Sequence, residues 1–85
     1  MIRNGLNAIV FKGCVNELIG HYFYMFSVVY NQIGRVPTNR EMLSAIKIEL
    51  DNLCGFKVTL SETQKYDFEK IFTREYNLIM KEHCA

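Results

Sequence analysis

The chain has 85 residues, of which 49% are hydrophobic and 22% charged, and its formal net charge is +1. That length accommodates one domain with one core, so residues 1–85 are read as a single helical domain. Near-neutrality excludes a global electrostatic pull toward nucleic acid or an anionic membrane, and the most apolar run, Leu18 to Tyr30, is 13 residues long, short of the roughly 20 that a bilayer span needs.

The first predicted helix is long. Val15, Leu18, Ile19, Tyr22, Met25, Phe26, Val29 and Ile33 recur at helical spacing on one face, and Gly34 ends the pattern. Upstream, residues 2–13 read two ways. Ile2, Leu6, Ile9 and Val10 extend the helical face, whereas Ala8 to Phe11 fits a short strand; Gly5 and Gly13 weaken the helix. The opposite side of the helix is also apolar. It carries Phe23, Tyr24 and Tyr30, set around Gly20 and Ser27. A helix that is apolar almost all round is normally buried all round, yet three helices in a chain of this size cannot cover both of its sides. Tyr and Phe are enriched at interfaces. Phe23, Tyr24 and Tyr30 are therefore the expected partner-binding residues, covered by a second chain in a two-fold homodimer. The rival arrangement folds residues 2–13 back over the rings.

The second helix has a clear start. Thr38 followed by Glu41 forms a capping box, and Pro37 cannot continue a preceding helix and pushes Val36 into an extended conformation. Leu43, Ile46, Leu50 and Leu53 then repeat at 3, 4 and 3, which predicts a helix from about Asn39 to Cys54. Gly55 stops it in the left-handed conformation, with Phe56 folding back on Leu50. Residues 56–60 are a short extended loop. A second capping box, Ser61 to Gln64, opens the third helix, whose stripe is Phe68, Ile71, Phe72, Leu78 and Ile79 and whose end falls near Glu82. The expected fold is thus an all-α bundle of three helices, or four elements if residues 2–13 form their own, with no significant sheet.

Gly34-Arg35-Val36-Pro37-Thr38 with Glu41 resembles the Gly-Arg-x-Pro-Thr-x-x-Glu opening of helix-turn-helix segments in bacterial sigma factors and LexA-like repressors. The resemblance covers about eight residues, and it implies groove reading by a second helix. This chain then departs from it. A helix-turn-helix turns after about two helical turns, often at Gly, but the Leu43 to Leu53 stripe runs unbroken to Gly55. In the third helix Lys70, Arg74, Asn77 and Lys81 project on the side opposite Phe68, Phe72 and Ile79. With Arg35, Arg40 and Lys47, these cations are the candidate contacts for phosphates or an acidic protein. Glu75 projects into the apolar stripe. A lone carboxylate there calls for a partner, such as Arg35, Arg40, His21 or a tyrosine hydroxyl, and should be at least half buried.

Enzyme motifs are lacking: there is no GxGxxG, GxxxxGK[ST], HExxH or GxSxG. A Cys14–His21 nucleophile pair would sit seven residues apart on one helix, about 10 Å by the rise per residue, beyond hydrogen-bond reach. Cys14, Cys54 and Cys84 are odd in number and show no CxxC spacing. They read as reduced, partly buried thiols rather than a disulfide framework, and together with His83 they lack the spacing of a zinc site. No cofactor or metal is expected. Phe, Tyr, Met, Ile, Asn and Lys supply 36 residues, against 13 for Gly, Ala, Arg and Pro; AT-rich codons encode the first group, so the gene is expected to be AT-rich, as in many bacteriophages and low-GC bacteria. The first residues lack the basic-then-apolar pattern of a signal peptide, so the expected location is the cytoplasm, that of the host for a phage gene. The functional expectation is a small non-enzymatic regulatory or inhibitory protein acting by protein–protein contact. The alternative is a nucleic-acid-binding regulator.

Overall fold

The computed structural model describes residues 6–83 and contains three helices: α1 (Ala8–Ile33), α2 (Asn39–Cys54) and α3 (Glu62–His83). Among the described residues there is no strand, in agreement with the all-α reading. Ala8 to Phe11 form the first turn of α1 and not a strand. The reason is local: the Asn7 side chain accepts a hydrogen bond of 2.8 Å from the Ile9 amide and caps the helix there. The part of the predicted extension that precedes Leu6, including Ile2, lies outside the described residues, as does Cys84.

The caps fall where the sequence places them. The Thr38 hydroxyl accepts from the Glu41 amide at 3.1 Å, and the Glu41 carboxylate accepts from the Thr38 amide at 2.8 Å. Ser61 and Gln64 exchange the same pair of bonds, at 3.2 and 3.3 Å. Gly34 and Gly55 close α1 and α2 with φ of 73° and 80°, a region that costs glycine nothing and other residues about 1 kcal/mol or more.

Short connections make the three helices run up, down and up. α3 therefore starts beside the start of α1. The Gln64 side chain both accepts from the Leu6 amide (3.0 Å) and donates to the Leu6 carbonyl (2.7 Å), tying the two ends together. The core is built from Phe11, Val15, Leu18, Tyr22, Phe26 and Val29 of α1, Met42, Ile46 and Leu50 of α2, and Phe68, Phe72 and Ile79 of α3. Tyr22 stacks on Phe72 with ring centroids 6.0 Å apart, and Phe72 tilts against Phe68 at 4.9 Å.

Several predicted stripe positions shift. In α2 the buried line is Met42, Ile46 and Leu50, spaced four apart; Leu43 is only partly buried and Leu53 is exposed. α2 packs against both α1 and α3, so its buried face centres on the line between the two neighbours. Leu53 comes at the end of the helix, beside an open groove lined by Leu18, Tyr24 and Met25. Phe56 does not fold back on Leu50 and stays exposed, whereas Val58 is buried. Asp51 accounts for this, because its carboxylate accepts the Val58 amide at 2.9 Å and draws that residue inward. Ile33 and Leu78 are likewise exposed. Leu78 lies about 100° round α3 from the Phe68–Phe72–Ile79 line at 100° per residue, and Ile33 is the last residue of α1.

Candidate functional site

The outer face of α1 is uncovered by the described residues. Phe23 is 57% exposed, Tyr24 67% and Tyr30 45%. The fold-back rival does not occur among the described residues: Ala8 to Gly13 are helical and Leu6 is held by Gln64 at α3. Phe23 and Tyr30 also line a groove of about 380 Å³ that Phe26, Ser27, Asn31 and Ile79 complete. The patch thus continues from α1 onto the end of α3.

The chemistry of this face is apolar and geometrically plain. Ser27 donates its hydroxyl to the Phe23 carbonyl at 3.2 Å, so its polar group is engaged within its own helix. Gly13, Gly20 and Ser27 follow one another at seven-residue intervals, on one line of the helix. A Cβ added at Gly13 or Gly20 would meet nothing within 4 Å. Packing within the chain therefore does not require glycine at either position. Glycine inside a helix nevertheless costs roughly 0.5–1 kcal/mol relative to alanine.

The six candidate cations divide. Arg35 grips Glu41 with two hydrogen bonds of 2.8 Å. That fork, followed by the Thr38 amide, holds the Glu41 carboxyl at about 2, well below its ordinary 4.5. Lys47 pairs with Asp51 at 2.6 Å. Burial alone would raise the Asp51 carboxyl, but the Lys47 and Val58 hydrogen bonds outweigh it and hold it down. Both cations are thus engaged inside the chain. Arg40, Lys70, Arg74 and Lys81 are exposed and in no ion pair among the described residues; Lys70 lies 5.9 Å from the centre of the Tyr66 ring. The Gly34–Glu41 stretch serves as a helix cap, and the helix it opens is unbroken for 16 residues.

Glu75 is more than half buried, as expected, but the expected partner is lacking: among the described residues no ion pair or hydrogen bond holds it. Its charge acts instead on Tyr22, whose hydroxyl is pushed well up by burial first and then by Tyr76 and Glu75. The Tyr22 hydroxyl has no hydrogen-bond partner among the described residues. Sequence reasoning missed Tyr76, which donates its hydroxyl to the carbonyl of buried Pro37 at 2.7 Å and so ties α3 to the α1–α2 corner. Only its amphipathic character at the edge of the stripe pointed that way.

Among the described residues no three His, Cys, Asp or Glu side chains converge as metal ligands. Among the described residues no helix is long and apolar enough to cross a membrane. No protein-family model, curated protein or solved structure matches this chain.

Proposed function

We propose that this chain is a small non-enzymatic regulatory or inhibitory protein that acts by protein–protein contact through the outer face of α1, and that a second copy is its first partner. The observation that carries the reading is the exposure of Phe23, Tyr24 and Tyr30 on the outer part of α1, Phe23 and Tyr30 bordering the groove toward α3 and Tyr24 the groove toward α2. The exposed parts of three such rings amount to roughly 300–400 Å², the patch size that usually marks a binding site.

The glycines favour a second copy. In an antiparallel pair centred between His21 and Tyr22, Phe23 meets Gly20 of the second copy and Tyr30 meets Gly13. Phe23 and Tyr30 then each face a position without a side chain, and the two-fold axis generates both contacts twice. Counting both copies, with Ile9 at 82% exposure added, the buried area reaches roughly 1,000 Å², the low end for a specific interface. The pair is therefore concentration-dependent. An AT-rich phage gene whose product is directed at a host protein fits the composition; in that case the same face takes the host target.

Sedimentation equilibrium over a concentration series tests this. Parent protein that dimerises and Tyr24→Asp that stays monomeric are expected. A parent that is monomeric at every concentration and captures no protein removes the reading.

A second reading, contact with nucleic acid or an acidic partner in the cytoplasm, draws on one observation: Arg74 and Lys81 are exposed on one face of α3 and in no ion pair among the described residues. A gel-shift titration against salt distinguishes it, because phosphate contacts weaken steeply as salt rises. Arg74→Glu then abolishes the shift. Parent protein that shifts no nucleic acid at low salt eliminates this reading.

A further inference from the structure

Two thiols that are 40 positions apart in sequence meet in the fold. α1 and α2 run antiparallel, and the groove between them sets Glu17, Leu18 and His21 against Glu49 and Leu53. Cys14 lies one turn before Leu18 on that side of α1, and Cys54 directly follows Leu53 at the end of α2. Both side chains are partly buried and pack on the same core. The Cys14 thiol stands beside the Cys54 thiol closely enough to act on its titration.

We propose that Cys14 and Cys54 form an oxidisable dithiol, which a disulfide oxidant converts to an intramolecular disulfide stapling the first half of α1 to the end of α2. The pair can close because Cys54 is the last residue of α2, followed by Gly55. With no further helical turn to hold it, its backbone can adjust to the Cβ separation of about 3.5–4.5 Å that a disulfide requires. The steps balance. One cysteine thiolate attacks a sulfur of the oxidant RSSR and forms a mixed disulfide, expelling RS⁻. The second thiolate attacks the protein sulfur of that mixed disulfide and expels the other RS⁻. Two protons and two electrons leave the protein, and two RSH form.

The surroundings set the rate. Burial raises the Cys54 thiol, as do Cys14 beside it and the Asp51 carboxylate on the same helix; Lys47 opposes them. The thiolate is the reacting species, so closure is slow at neutral pH and quickens as the solution is made alkaline. Bond formation closes a loop of about 40 residues, which restricts the unfolded chain more than the folded one. The bond lies on the side of α1 that faces α2, whereas Phe23 and Tyr30 border the groove toward α3, and Tyr24 is ten residues further along α1, so the rings stay open. The proposal is independent of the interaction reading.

The test uses the full chain carrying Cys84→Ser, so that the third thiol cannot compete. Oxidised glutathione is added at about pH 8, and remaining thiols are alkylated under denaturing conditions before intact-mass and peptide analysis. The expected product is monomeric, has lost two hydrogens, takes up no alkylating agent and yields a peptide linking residues 14 and 54. Its Tm lies roughly 10 °C above that of the reduced form, and a dithiol reductant restores the original value. Cys54→Ser, which can close no such bond, shows neither the mass loss nor the shift. Two alkylated thiols, stable glutathione adducts, a disulfide between chains, or a linked product that melts no higher than the reduced one would each overturn the proposal.

Discussion

The corner between α1 and α2 and the outer face of α1 both present exposed side chains, yet they differ in what their groups do. In the corner, Arg35 grips Glu41, Glu41 and Thr38 cap each other, Asn39 donates to Thr73 at 2.9 Å, and Tyr76 reaches the Pro37 carbonyl. On the outer face, Ser27 turns its hydroxyl back onto its own helix, while Phe23, Tyr24 and Tyr30 stay about half or more exposed. Exposure alone does not identify a site. An exposed group whose interactions are satisfied within its own chain has little left to offer a partner. Arg35 is such a group, and on these grounds the corner drops out as a recognition element although its sequence resembles one. The rings stay in contention because they are exposed among the described residues, and the glycines because packing among those residues does not require them.

The largest expected effect tests whether the corner is as tightly engaged as it looks. Tyr76→Phe removes the donor to Pro37 and leaves a buried carbonyl without it. Such a loss costs about 1–3 kcal/mol, read by urea denaturation with an unchanged slope. A loss below about 0.5 kcal/mol would show that the helix caps alone hold the corner.

The Tyr76 bond also shows what was legible in the sequence and what was not. Signals that act over three or four residues could be read directly: Thr38 with Glu41, Ser61 with Gln64, and Gly34 and Gly55 as stops. They set all three helices to within about a residue, apart from the start of α1. The exposed rings followed from counting, since two apolar sides on one helix exceed what two neighbours can cover. Contacts set by how the helices pack did not follow. The spacing of α2 admitted both the Leu43–Leu53 line and the Met42–Ile46–Leu50 line, and only the positions of α1 and α3 choose between them. The Leu6–Gln64 tie, the Tyr76–Pro37 bond and the meeting of Cys14 with Cys54 join residues 39 to 58 positions apart, beyond the reach of any periodicity. Glu75 shows the converse: its place on the stripe was right, but among the described residues no ion pair or hydrogen bond holds it.

A smaller effect is expected at the cap itself. Thr38→Ala removes the side-chain acceptor for the Glu41 amide and should cost about 1 kcal/mol. Equilibrium denaturation without any change would mean that the Arg35–Glu41 fork holds the start of α2 unaided.

On the outer face, Gly20→Ala sharpens the contrast because two readouts should move in opposite directions. A methyl group there meets open space within the chain, so helix propensity should raise the stability of the monomer by roughly 0.5–1 kcal/mol. The same methyl group would stand where Phe23 of a second copy is proposed to pack, so self-association should weaken. Denaturation at low concentration reads the first and sedimentation the second. Higher stability with unweakened association would place the contact elsewhere on the face.

The smallest expected effect is the acid titration of the corner. With its carboxyl held at about 2 by the Arg35 fork and the Thr38 amide, against an ordinary 4.5, Glu41 binds its proton less readily in the folded chain than in the unfolded one. Between those two values the unfolded state therefore carries more protons, and stability falls as pH falls. The contribution is complete above about 4.5 and is lost as pH drops through about 2. Asp51, held down after its Lys47 and Val58 bonds outweigh burial, adds to the slope with the same sign. Asp51→Asn is thus the background in which Glu41 is read alone. Because the Arg35–Glu41 pair is solvent-exposed, salt should flatten its share. In that background, Tm measured from pH 5 to about 2 should fall less steeply in Glu41→Gln than in its parent, and the difference should shrink in high salt. Equal slopes would mean that the Arg35–Glu41 fork does not persist in solution. The corner's charges would then be as available to a partner as the rings, and the contrast between the two regions would fail.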